Sequence, residues 1–485
     1  MTTNPPSQPE ADFGMIGLAV MGRNLVLNLT DHGFEVAVFN RTSSRTDTFL
    51  AQNHGRSIRG FADLGSFVGS IERPRRILLM IAAGQPVDDQ ISALVPLLDP
   101  GDVIIDGGNS LFTDTARRQE ELTRVGIHFV GAGISGGEDG ARFGPSIMPG
   151  GDPRAWPIVK DALTAIAAEA EGEPCCAWIG QGGAGHFVKM VHNGIEYGDM
   201  QVIAEAYDVM GRGLGMGAPD MRPHFERWND GKLDSYLIGI TASVLGHNQD
   251  DGTPTVDVIV DATGQKGTGK WTVMASMEHP TPVSLIAESV YARIVSSLRD
   301  ERADAAAYLG GTNESIEGDT HQIVADLHDA LYASKIISYT QGFMLLRAAS
   351  EEHEWHLDFG TIAGLWRAGC IIRSTFLDDI TAAFRANPGL TNLLLDDFFR
   401  GEITSAIDGL RRTVSRAATA GIPVPAYSAA LAFFDSFRSK KLPANLTQAQ
   451  RDYFGAHTYE RTDRPRGEWF HTAWMDDQAD RSAFQ

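Results

Sequence analysis

Apolar residues in the first third of the chain come in short runs. Phe13–Ile16, Phe34–Phe39 (FEVAVF), Ile77–Ile81 (ILLMI), Val103–Ile105 and His128–Val130 are such runs, separated by segments with helical periodicity. A short continuous apolar run suits a strand buried on both faces. Strand, helix and strand in repetition predict an α/β domain built on a parallel sheet covered on both sides. The pattern changes near residue 180. QGGAG, Gln181 to Gly185, is a glycine break, and the chain beyond it is mostly helical in period to about residue 440, Ala303–Ala307 and Ile323–Leu345 included. After Lys440, Pro, Gly, Asn and charged residues interrupt any period, yet Tyr453, Phe454, Tyr459, Trp469, Phe470 and Trp474 remain. That tail is expected to dock on a surface, and a partner subunit is the candidate. The expected divisions are residues 1–182, 183–440 and 441–485.

Within the helical part, IEYGDMQVIAEA (195–206) is echoed by ISYTQGFMLLRA (337–348), and WNDG (228–231) by WRAG (366–369), which suggests a duplicated helical unit. The second copy has Ser338 where the first has Glu196. In KMVHNGIEYGDM (189–200), Lys189, His192, Asn193 and Glu196 fall at i, i+3, i+4 and i+7, one stripe of a helix. Such a stripe is either a solvated face or a row of chemical groups.

At 485 residues the chain is too long for one typical core. Its formal charge of −21 argues against nucleic acid and anionic membranes as partners. Three cysteines, Cys175, Cys176 and Cys370, have no zinc or disulfide spacing, which fits a reducing cytoplasm. The N-terminus lacks the basic and apolar regions of a signal peptide, and no apolar run approaches a membrane span.

GLAVMGRN, Gly17 to Asn24, lies after the first strand and opens a helix. It has the spacing of the Rossmann glycine fingerprint with Ala19 in the middle place. Gly17 allows the turn, Ala19 lets the backbone approach a pyrophosphate, and Gly22 lets helix pack on strand. The first domain is therefore read as Rossmann-type. The second strand ends in Asn40, Arg41 and Thr42, with Arg45 close behind. An acidic residue there would select NAD; a cation and hydrogen-bond donors suit the 2′-phosphate of NADP. DGGNS (106–110) and GISGGEDGARFGPSIMPGG (133–151) follow strands. Ser135, Gly136 and Gly137 could offer successive backbone N–H groups to a carboxylate, or simply form a turn.

Taken in order, GLAVMGRN, DGGNS, SGGEDGARFGPSIMPGG, KMVHNGIEYGDMQ, DATGQKGTGKWT and RDYFGAHTYE resemble the decarboxylating 6-phosphogluconate dehydrogenases, from about residue 12 to beyond 470. The resemblance implies a Rossmann-type domain, a large all-α domain and a C-terminal tail that threads into the other subunit of a homodimer. It implies NADP-dependent oxidation of 6-phosphogluconate at C3, loss of carbon dioxide and formation of ribulose 5-phosphate, in the oxidative pentose phosphate pathway. Lys189 matches the family's base and Glu196 its acid for the enol at C1. A lysine base needs its pKa, about 10.4 when free, lowered by its surroundings. His192 and Asn193 match ligands of the substrate hydroxyls. Ser135, Gly136 and Gly137 match the carboxylate site, with Asn109 nearby. Tyr197, Lys266 and Arg293 match the phosphate site, and Arg451 and His457 match residues supplied by the opposite subunit. Gly17, Leu18, Ala19, Val20, Met21, Gly22, Asn40, Arg41, Thr42, Ala82, Ala83 and Asn109 match cofactor-binding positions. No metal is expected in the reaction, because the β-keto acid is its own electron sink.

The chain departs from the family once. After ILLMI the family usually reads valine, lysine, alanine, glycine; here the segment is IAAG, with Ala82 in the lysine place. Two rival readings are a β-hydroxyacid dehydrogenase that does not decarboxylate and a catalytically silent NADP-binding protein. Intact Lys189, Asn193 and Glu196 argue against the second, and the phosphate-binding cations against the first.

Overall fold

The computed structural model describes residues 11–264, 267–310 and 315–474. The apolar runs form a sheet of strands β1 (Phe13–Ile16), β2 (Val36–Phe39), β3 (Ile58–Phe61), β4 (Arg76–Leu79), β5 (Val103–Asp106), β6 (His128–Ser135) and β7 (Ser146–Gly151), in the order β3-β2-β1-β4-β5-β6-β7. Alternate residues point to opposite faces. Phe13, Met15, Val36, Val38, Leu78, Val103 and Ile105 enter one apolar core, while Ile16, Ala37, Ile77, Leu79 and Ile104 enter the other. Both faces are dry, which is why these strands read as unbroken apolar runs.

Two strands differ from the expectation of an all-parallel sheet with five marked strands. β3 is a half-buried edge strand with Arg59 and Gly60, so it has no apolar run. β7 pairs antiparallel to β6, and both are rich in glycine, a composition that resembles a turn. These glycines serve close packing. A Cβ on Gly150 would lie 2.5 Å from the Gly185 nitrogen, so the next helix rests almost directly on the sheet backbone.

Helix α1 (Val20–Asp31) follows β1, and α2 (Phe112–Thr123) follows β5. The helical part contains α3 (Ala184–Asp208), α4 (Thr268–Glu278), α5 (Ser284–Ser297), α6 (Thr320–Glu352) and α7 (Asp397–Ala420). Every residue of α3 from Ala184 to Ile195 is buried. Packed by β6, β7, α2, α4, α5 and α6, α3 has no solvated face in that stretch, and the first reading of its polar stripe fails. The echoed segments lie side by side: Gly198 of α3 leaves room for Ser338 of α6, and Gly342 of α6 for Ile195 of α3. A buried ion pair, Lys335 Nζ to Asp199 Oδ2 at 2.6 Å, also joins these two helices.

The chain divides into two compact units, Met1–Leu431 and Ala432–Gln485. The second is more regular than its composition suggests. It contains a helix, Ala444–Gly455, and a short antiparallel pair, Tyr459–Glu460 with Trp469–Phe470. Its organiser is one buried carboxylate. Asp452 accepts from the backbone N–H of Thr458 and Thr472 and from Trp474 Nε1, and lies 2.9 Å from His471 Nδ1. A polar hub leaves no periodic apolar trace, so the tail reads as irregular. Among the described residues, no helix is long and apolar enough to cross a membrane.

Candidate active site

The glycine turn between β1 and α1 is forced by its surroundings. Gly17 has φ +102°, and a Cβ on it would lie 2.4 Å from the Met80 carbonyl oxygen. A Cβ on Gly22 would meet the Gly17 oxygen at 1.9 Å. The N-cap Ala19 makes no side-chain cap, and no acidic residue occupies the first turn of α1. The free N–H groups and the positive dipole end there fit a pyrophosphate. Leu18 is buried, whereas Ala19 and Val20 are exposed and Met21 half-buried. Asn40, at the end of β2, accepts from the Leu18 N–H at 3.2 Å and donates to the Thr42 carbonyl at 3.1 Å. It thus ties the glycine turn to the segment where Arg41, Thr42 and Arg45 stand exposed. Ala82 and Ala83 follow β4, which neighbours β1 at the point where strand order reverses, the usual nucleotide position in such sheets.

Asn109 is exposed in the loop after β5. The loop hangs on Asp106, which accepts from the Gly108 N–H at 3.0 Å and the Ser110 hydroxyl at 2.6 Å. Beneath it, His186 Nδ1 lies 2.6 Å from Thr115 Oγ1, and burial lowers the imidazole pKa.

Lys189, His192, Asn193, Glu196 and Tyr197 share one side of α3, beside the C-terminal end of β6. Lys189 Nζ lies 3.2 Å from His192 Nδ1, which is 2.9 Å from Asn193 Oδ1 and 3.8 Å from Glu196 Oε2. The other ring nitrogen, Nε2, lies 2.7 Å from Cys370 Sγ and 3.2 Å from Ser135 Oγ. Asn193 Nδ2 donates to Thr268 Oγ1 at 3.0 Å. His192 is therefore the hub of the stripe, held at both nitrogens. Cys370 is held in turn: Arg373 donates to its carbonyl at 2.8 Å, and the preceding Gly369 carbonyl accepts from the Ser146 N–H at 2.8 Å. Gly136 has φ +121° and leaves no room for a Cβ against the Gly369 oxygen. Ser135, Gly136 and Gly137 thus lead from β6 into the short helix Gly137–Phe143.

Burial decides the titration of this row. It lowers the pKa of the Lys189 ammonium, against the opposing charges of Glu196 and Cys370. It lowers His192 well below the usual imidazole value, with Lys189 adding to the effect. It raises Glu196, against Lys189 and Arg293. Burial also pushes the Cys370 thiol up to about 11, so it stays protonated near neutrality. A lysine shifted down and a carboxylic acid shifted up, either side of a neutral imidazole, are groups that could serve as base and acid toward one small molecule.

Arg293 of α5 stacks on Tyr197, its guanidinium carbon 3.5 Å from the ring centroid, and donates to the Gly264 carbonyl at 3.4 Å. Lys266 lies outside the described residues. Arg451 and His457 are exposed in the second unit.

The sequence reading missed Thr268, Cys370, His186 and Asp106. Asp106 opens the DGGNS motif, where its own side chain carries no mark of a role. The others are single polar residues whose significance comes only from distant partners.

Residues 12–180 match the NAD binding domain of 6-phosphogluconate dehydrogenase, and residues 185–474 match the 6-phosphogluconate dehydrogenase C-terminal domain. The decarboxylating 6-phosphogluconate dehydrogenase of Schizosaccharomyces pombe is 58% identical, over 93% of this chain and 93% of its own length. That of Ovis aries is 56% identical, over 96% and 97%. A Plasmodium falciparum 6-phosphogluconate dehydrogenase, solved apo, with its cofactor NADP+ and with its substrate 6-phosphogluconate, superposes with a TM-score of 0.92 at 43% identity, covering 96% of this chain and 100% of that one.

Proposed function

The chain belongs to the decarboxylating 6-phosphogluconate dehydrogenases, and from that premise we propose how its residues divide the reaction. The enzyme oxidises 6-phosphogluconate at C3 with NADP and releases carbon dioxide, leaving ribulose 5-phosphate. The observation that carries the division of labour is the opposite displacement of Lys189 and Glu196 around His192.

Neutral Lys189 takes the proton of the C3 hydroxyl. Bound NADP supplies the hydride acceptor. Lys189, now an ammonium, donates to the C3 oxygen as negative charge gathers on it during loss of carbon dioxide. The enol that remains needs a proton at C1, and Glu196, whose pKa burial raises, provides it. Lys189 and Glu196 are two helical turns apart, about 10 Å along the axis, so long side chains address different carbons of one sugar. His192 and Asn193 hold the hydroxyls between them, and Ser135, Gly136, Gly137 and Asn109 hold the carboxylate end. Tyr197, Lys266 and Arg293 hold the phosphate, for which clustered cations are apt. On the cofactor side, the turn Gly17 to Gly22 cradles the pyrophosphate, Asn40, Arg41 and Thr42 take the 2′-phosphate, and Ala82, Ala83 and Asn109 line the rest of the cofactor.

The working form is a homodimer in which Arg451 and His457 of the partner subunit complete the phosphate site. Support comes from apolar side chains left open on the single chain: Val258, Ile259, Val260, Met277, Tyr308 and Leu309 are all more than half exposed. Monomeric proteins rarely leave so much apolar surface uncovered. Three free, buried cysteines fit a reducing cytoplasm.

The test is steady-state NADPH formation from 6-phosphogluconate, in parallel with NAD, with ribulose 5-phosphate identified as product. NADP-dependent turnover that vanishes in Lys189→Ala supports the assignment; unchanged turnover in that variant removes it. Sedimentation of the active species as a monomer would remove the dimer and the role of the tail.

A further inference from the structure

Away from the catalytic row, two helices end at one place. The C-cap of α4 is His279 and the C-cap of α6 is His353, directly after Glu352. One ligand atom from each of His279, Glu352 and His353 lies within 4.8 Å of the others. His279 Nδ1 is 2.7 Å from Glu352 Oε2, and the two imidazoles meet edge to face at 5.2 Å. His279 is buried, with Nε2 lacking a hydrogen-bond partner, while Glu352 and His353 are exposed. A cleft lined by Phe112, Gln119, Gly182, His353 and Trp355 opens beside them.

Two features of this cluster favour a cation. Two helix C-termini direct their negative dipole ends toward it. Two imidazoles and one carboxylate are the donor set of zinc-type ions, with water completing a tetrahedron. Bonds of about 2.0–2.1 Å place such ligands roughly 3.4 Å apart. The exposed chains of Glu352 and His353 can rotate to close that gap around a fixed His279.

We propose that His279, Glu352 and His353 form a binding site for one divalent transition-metal ion of the zinc class, separate from the reacting centre. The site clamps the C-terminal ends of α4 and α6. Phe187 of α3, two residues before Lys189, packs 5.7 Å from the His279 ring, and α4 begins at Thr268, the partner of Asn193. The clamp therefore braces α4, which supplies Thr268, and packs against α3, which carries the catalytic row. Its role is stabilising, and turnover without the metal continues.

Full-length enzyme stripped with EDTA and titrated with zinc chloride by calorimetry tests this. The expected result is saturable binding of one ion per chain with micromolar or lower Kd, a higher thermal midpoint, and no such response to magnesium. Cobalt substitution should give visible bands of tetrahedral intensity. His353→Ala and Glu352→Gln, both at exposed positions, should each weaken zinc binding at least tenfold and remove the cobalt bands, leaving metal-free turnover and thermal midpoint unchanged. Absence of one-to-one binding, or equal affinity and cobalt spectra in wild type and both variants, overturns the proposal.

Discussion

Gly133 of β6 and Lys189 of α3 are in contact so close that a methyl group on the glycine would lie 2.3 Å from the lysine Cβ and 2.9 Å from its Cγ. Neither partner has room to retreat. Gly133 is in a strand paired on both sides, and α3 is pinned at Gly185, where a Cβ would lie 2.4 Å from the Gly131 oxygen. The absence of one side chain thus sets where the Lys189 amine stands. Gly133→Ala is expected to displace Lys189 by about 1 Å, lowering kcat on the order of 100-fold. Overpacking of this kind costs about 1–3 kcal/mol of stability. Steady-state kinetics and a denaturation midpoint measure both; wild-type kcat in a folded variant would show that the contact does not position Lys189.

On the proposed division of labour Lys189 and Glu196 act at different steps, so their variants should fail differently. Lys189→Ala should abolish NADPH formation while leaving the fold intact. Glu196→Gln should retain part of hydride transfer but protonate the enol poorly, which deuterium incorporation at C1 in heavy water reads directly. The pH profile carries the same information. The base must be neutral, so activity rises as pH climbs through the lowered Lys189 pKa. The acid must be protonated, so activity falls as pH climbs through the raised Glu196 pKa. Glu196→Gln should lose the dependence on the Glu196 proton and keep the dependence on Lys189. Identical profiles and equal residual activity at every step would sink the division.

Period and apolar runs report on the element that carries them, and this limited what the chain disclosed. Five strands were legible because both faces of the sheet are dry. β3 was hidden by half-burial and β7 by glycines that look like turns but serve contact with α3. The row Lys189, His192, Asn193 and Glu196 was legible because one helix carries all four. Its supports were not: Cys370 is 178 residues from His192, and Thr268 is 75 from Asn193. Nothing local marks a thiol or hydroxyl for such a role. The six motifs shared with the family supplied the chemistry that the stripe alone left open between a solvated face and a site.

The proposed 2′-phosphate site lies at the end of β2. Arg41 and Thr42 are exposed beside a glycine turn that Asn40 fixes, and Ala82 leaves the neighbouring strand end without a cation. Arg41→Ala should raise the KM for NADP by about 10- to 100-fold, the range of a charge-assisted contact worth about 1.5–3 kcal/mol, with little effect on the KM for NAD. Ala82→Lys should lower the KM for NADP. Parallel kinetics with the two nucleotides decide this; an equal rise for NAD in Arg41→Ala would mean that Arg41 meets the shared part of the cofactor.

Glu205, near the end of α3, is buried and accepts from the backbone N–H of Ala426 at 2.8 Å and of Tyr427 at 2.9 Å, the first turn of the helix Pro425–Phe437. Burial raises its pKa from 4.5 to about 7, although those two N–H groups and Gln201 favour the ionised form. Desolvation therefore outweighs the cap. The native state then holds a proton that the unfolded chain has released between about pH 4.5 and 7. Stability from Glu205 is fully present below the unfolded pKa and is lost as pH rises through the folded one. That rise corresponds to roughly 3.4 kcal/mol at most. Glu205→Gln has no proton to lose and keeps a carbonyl acceptor for the helix. Chemical denaturation from pH 4.5 to 8 should show the wild type losing stability relative to Glu205→Gln as pH rises from about 4.5, levelling off above about 7. Parallel stability curves for the two proteins would mean that Glu205 is ionised throughout and that the helix N-terminus, not burial, governs its proton.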